Sequence, residues 1–132
     1  MRYMLLMNAP YGSGDYDVAA WRPEELTAHI AFMRDLNKDL TTTGEFIGGE
    51  GLAPPSQARI VDVGTDGAPI VTDGPFAETK EFLAGFWIVE VESPERAYEI
   101  AARISGAPGP GGAPTHIKVE VRQVLSAPPA EM

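Results

Sequence analysis

The chain has 132 residues, 44% of them hydrophobic, with ten basic against nineteen acidic side chains and a formal net charge of −9. That balance repels phosphate backbones and anionic lipid headgroups, so neither nucleic acid nor a membrane surface is an expected partner. Cysteine is absent, which removes disulfides, thiolate nucleophiles and cysteine-ligated metal centres and fits a cytoplasmic protein.

The length fits one domain, expected over residues 1–125, with a frayed tail over 126–132. The first ten residues lack the long apolar core of a signal peptide. Arg2 to Asn8 is apolar on both alternating sets, Tyr3, Leu5 and Met7 against Met4 and Leu6, as in a central strand covered on two sides. "APYGSGDYDVAAWR" has the composition of a loop. Pro23 with Glu24 and Glu25 then starts a helix expected to run to about Thr42. Leu26, Ile30, Met33, Leu36 and Leu40 form one apolar stripe on it, and Gly44 ends it.

"GEFIGGEGLAPP" begins as a strand and is expected to dissolve into a glycine-rich loop. It has neither the phosphate-loop lysine nor the dinucleotide fingerprint. "ARIVDVG" and "APIVT", joined through Asp66-Gly67, predict a hairpin. Asp73-Gly74-Pro75 is turn chemistry. A long strand from Leu83 to Glu92 sets Phe86 and Ile88 on one face and Trp87, Val89 and Val91 on the other. Ser93-Pro94-Glu95 is a helix start, with Ala97, Ile100, Ala101 and Ile104 at helical spacing behind it. After a Gly/Pro loop, Thr115 to Val124 alternates as a last strand, with His116 on its outward face.

The order β-α-β-hairpin-β-α-β predicts a ferredoxin-like α+β fold with an inserted hairpin. Two helices cover one sheet face. The other face is apolar too, and the economical cover is a second copy, so a homodimer with a pocket near each sheet–helix boundary is expected.

Two side chains carry the chemistry. Helical spacing puts His29 inside the apolar stripe of the first helix. It is either a core histidine satisfied by one hydrogen bond or a neutral general base. In "TDGPFAETKE", Phe76 has a fixed direction, and Thr79 and Lys80 suit a carboxylate or phosphate. The alternative is a self-capped loop with Lys80 paired to Glu81 or Asp73. With two histidines and no ligand spacing between them, neither a metal nor a cofactor is expected.

"VTDGPFAETKEFLAGFWIVEV", with "MRYMLLM", "GEFIGGEGLAPP" and "KVEVRQV", resembles the DGPF branch of the YciI-related family over almost the whole chain. The resemblance implies a dimeric α+β barrel and a pocket built on a first-helix histidine and an aspartate. His29 matches that histidine. The YciI branch carries its aspartate in a "DP" pair after the second helix, where this chain reads "ISGAPGPGG", so Asp73 is the replacement acid. The implied site is His29 and Asp73 as the catalytic pair, with Phe76, Thr79, Lys80 and Trp87 on an anionic or aromatic small molecule. Proton abstraction or elimination is the expected reaction, in a lyase-, isomerase- or hydrolase-like enzyme. The family is also associated with sigma-factor genes, which implies the alternative of a non-catalytic binding or interaction module.

Overall fold

The chain is described here by a computed structural model that covers residues 1–11, 18–76 and 78–125. The elements run β1 (Arg2–Pro10), α1 (Pro23–Thr42), β2 (Phe46–Gly51), β3 (Arg59–Val63), β4 (Pro69–Asp73), β5 (Glu81–Glu90), α2 (Pro94–Ser105) and β6 (Lys118–Gln123). Four strands form an antiparallel sheet in the order β2-β5-β1-β6, and β3 and β4 pair as a separate hairpin. This is the expected α+β plan with its inserted hairpin. The expected tail, 126–132, and part of the first loop, 12–17, lie outside the described residues.

Both helices start where the local chemistry places them. Pro23 opens α1, and the Glu25 carboxylate accepts from the Arg22 N–H at 2.9 Å. That satisfies one of the amide donors left open at the helix start. Ser93 Oγ accepts from the Arg96 N–H at 3.3 Å and caps α2. Gly44, at φ 79°, carries the chain out of α1.

The core lies between the helices and one sheet face. Leu36 and Leu40 from α1 and Ile100 and Ile104 from α2 bury completely against Leu5 and Val89. Fully burying one such side chain contributes about 1.5–3 kcal/mol. Arg96 donates twice to the Glu45 carboxylate, both at 2.8 Å, and ties the start of β2 to α2. On the opposite sheet face, register pairs Met4 with Ile88 and Leu6 with Phe86, all half-buried.

Two features depart from expectation. The glycine-rich "GGEG" does not dissolve into a loop; it continues β2 to Gly51. A Cβ on Gly49 would lie 2.7 Å from the Phe86 carbonyl oxygen, and one on Gly85 would lie 2.9 Å from that of Glu50. The glycines therefore serve close backbone approach rather than flexibility. The second feature is a β-bulge between Met7 and Asn8, across which Gly85 and Leu83 are successive partners. It shifts the alternation, so Phe82 pairs with Ala9 and packs on the core side.

Candidate functional site

A cavity of about 1030 Å³ opens between α1 and the β2–β5–β1 side of the sheet. The α1 stripe supplies one wall through Leu26, His29, Met33 and Asn37, and Trp87 and Phe82 face it from β5. The bulge residues Met7, Ala84 and Gly85 also line it. Here β2 offers Gly49 and Gly51 instead of side chains, so among the described residues the sheet–helix gap on this side stays open.

His29 is 6% exposed, the one polar residue in the core of the described chain. Its Nδ1 lies 2.9 Å from the Pro108 carbonyl oxygen. A carbonyl only accepts, so the proton resides on Nδ1 and the neutral ring carries its lone pair on Nε2. Burial pushes the imidazole below its ordinary value of 6.5, more strongly than the Pro108 carbonyl raises it. The Trp21 ring stands edge-on to the imidazole, with centroids 5.1 Å apart at 86°.

The carbonyl that orients His29 is itself held in place. It belongs to the loop after α2, where the Gly109 N–H donates to Ala113 and the Thr115 N–H to Ala107. The Gly111 N–H of this loop donates to Glu25 Oε2 at 2.6 Å. That bond, followed by the one from Arg22, holds the Glu25 carboxyl below its usual range. One carboxylate in the first turn of α1 thus pins the loop that orients a histidine one turn further on.

Trp87 is buried at the other end of the cavity, and its indole N–H donates to Asn37 Oδ1 at 2.7 Å. The remaining expected site residues do not line this cavity. Asp73 ends β4 with a side chain 92% exposed, 3.5 Å from the Arg59 guanidinium. Phe76 is 70% exposed. Thr79 borders a smaller recess with Leu52, Pro75 and Phe82. Lys80 is exposed, its carbonyl accepting from the Tyr11 N–H, and among the described residues its ammonium forms no ion pair with Glu81 or Asp73. Within one chain, then, the structure brings together His29 and Trp87 and sets the DGPF loop apart. The loop has a structural fit of its own. The Gly74 N–H donates to the Ala58 carbonyl, against which a side chain at Gly74 would press at 3.2 Å.

The roles of Asn37, Trp21 and Pro108 at the site are not legible in the sequence, nor is the bond by which the helix-start residue Glu25 holds Gly111. The position of Asn37 was within reach, since it shares a helical face with His29 and Met33. Pro108 acts through its backbone, which leaves no side-chain signal.

Fold and site together define a two-layer α+β protein with a large cavity walled by a buried neutral histidine. The model of the YCII-related domain matches residues 1–113, and the chain belongs to that family. It is 30% identical to an uncharacterized protein of Rhizobium meliloti (strain 1021) over 114 residues, 86% of this chain and 87% of the relative.

Proposed function

We propose that this protein, a member of the DGPF branch, is a cytoplasmic small-molecule enzyme in which His29 is the general base. The reaction is proton abstraction or elimination on a small cyclic compound. One observation carries this reading: His29 is buried in the wall of the cavity and is held as a neutral Nδ1–H ring by its hydrogen bond to the Pro108 carbonyl. A base must be neutral to accept a proton, and burial favours the neutral ring. A backbone carbonyl here does the orienting that an aspartate does elsewhere, so His29 needs no Asp73 within its own chain.

The working form in this reading is a homodimer packed through the open sheet face. Asp73, Phe76, Thr79 and Lys80 then belong to the loop and hairpin that a second copy would meet. Val61, Val63, Ile70 and Val71 on that hairpin are each at least half exposed, a cost that contact with a second chain relieves. The same exposed hairpin favours the second reading, a non-catalytic interaction module in a regulatory setting.

Hydrogen–deuterium exchange separates the two. A panel of cyclic ketones and lactones is incubated with the protein in D2O and followed by proton NMR. The enzyme reading expects wild type to exchange the proton next to the carbonyl of at least one compound, and His29→Gln to lose that exchange. Exchange that survives in His29→Gln removes the histidine from the chemistry. No exchange with any compound leaves the binding module.

A further inference from the structure

The indole of Trp87 decides which way the Asn37 side chain faces. A carboxamide has an oxygen that accepts and a nitrogen that donates, alike in size and shape. An indole N–H only donates, so the amide turns Oδ1 toward it, and the bond is short at 2.7 Å. Trp87 is 7% exposed, and the reverse orientation would bury two donors face to face. The chemistry of the neighbour therefore fixes the amide.

The Nδ2 amino group is left with two hydrogens to donate. Among the described residues it has no acceptor: the hydrogen bond of the Asn37 side chain is the one it receives from Trp87. Asn37 is half-buried and lines the cavity together with Met33 and Trp87. Gly49, the cross-strand partner of Trp87, lines it too. A ligand group beside the amide thus meets the backbone of β2 there rather than a side chain, which suits a flat group. A donor fixed in an apolar wall selects for an acceptor placed against it.

We infer that Asn37 is a specificity-determining residue of the cavity. Its amino group donates to the carbonyl oxygen of a flat, conjugated ligand, and Trp87 holds the amide in the orientation that does so. The inference rests on the small-molecule reading above and names the group this wall recognises. It applies whether the ligand is converted or only bound.

Two probes of one shape test it. 2-Acetonaphthone carries a carbonyl, and 2-isopropenylnaphthalene carries a CH2 in place of its oxygen. Each is titrated into the full chain at pH 7 while the indole N–H signals are followed by NMR, with Trp87→Phe assigning them. Both probes are expected to shift the Trp87 signal. In wild type the ketone, and not the alkene, should also move the Asn37 Nδ2 protons downfield. The ratio of the two affinities isolates the hydrogen bond, since shape and ring burial cancel. Asn37→Asp keeps an acceptor for the indole and removes the donor, so it should shift that ratio against the ketone by at least about five-fold. Asn37→Leu, which removes the donor without adding a charge, should shift it the same way. Asn37 Nδ2 protons that ignore the ketone, or a ratio unchanged in the variants, overturn the role of Asn37; with the Trp87 signal still moving, the pocket stands. A Trp87 signal that neither probe moves in wild type overturns the pocket and the inference together.

Discussion

An imidazolium needs water or a counter-charge, and at His29 the fold supplies little of the first. Burial therefore depresses the histidine's affinity for its proton, with the Pro108 carbonyl pulling the other way and losing. The sign of the consequence follows from linkage. The unfolded chain takes up this proton around pH 6.5, and the folded chain takes it up only at lower pH. Stability is thus full above about 6.5 and is lost progressively as pH falls from there toward the folded value. Thermal unfolding between pH 8 and 5.5 should show a falling midpoint for wild type and a flatter curve for His29→Gln. Parallel curves would remove the burial argument. Sequence spacing alone put this histidine on the core side of its helix, because 100° per residue fixes which positions share a face. Its tautomer was not legible, because it depends on a carbonyl 79 residues away in the chain.

The first helix is legible almost to the residue, from Pro23 to Thr42, since proline, early acids and a terminal glycine are local signals. Its coupling to the loop after α2 is not local. Glu25 holds Gly111, and the same loop holds the imidazole. Glu25→Ala should free the loop and loosen the histidine's orientation. Nitrogen NMR of the ring is expected to show the Nδ1–H form dominant in wild type and a mixture of tautomers in the variant, with faster amide exchange at Gly111. A tautomer unchanged in Glu25→Ala would show that the remaining loop bonds, such as Gly109 to Ala113, hold Pro108 by themselves. The glycine-rich β2 runs the other way. By composition it was a loop, and it is a strand because β5 supplies hydrogen-bonding partners along its length. Tertiary pairing overrides local preference in strands more than in helices.

At the scale of the molecule, the unresolved balance is apolar surface. The helices cover one face of the sheet, while Met4, Leu6, Phe86 and Ile88 sit half-buried on the other, flanked by Lys118, Glu120 and Arg122 on β6. An apolar centre with a charged border is what the proposed homodimer requires of this face. Light scattering at micromolar concentration should give a dimer mass, and Ile88→Glu should give a monomer with its circular dichroism retained. A wild-type monomer would refute the dimer and require another cover for the open face.

The sequence by itself determined the element order, the two-helix α+β plan, the inserted hairpin and the core face of α1 apart from Ile30, which is 45% exposed. Each of these is set by neighbours within a few positions: alternation, helical stripe, cap and turn. Only the tertiary structure decided where the cavity lies, that His29 and Trp87 share it, that Pro108 fixes the imidazole, and that Asp73 and Lys80 stand outside it within one chain. Those facts depend on which distant backbones approach, on a bulge that re-aims Phe82, and on glycines that leave space or close it. Local patterns carry no record of such distances.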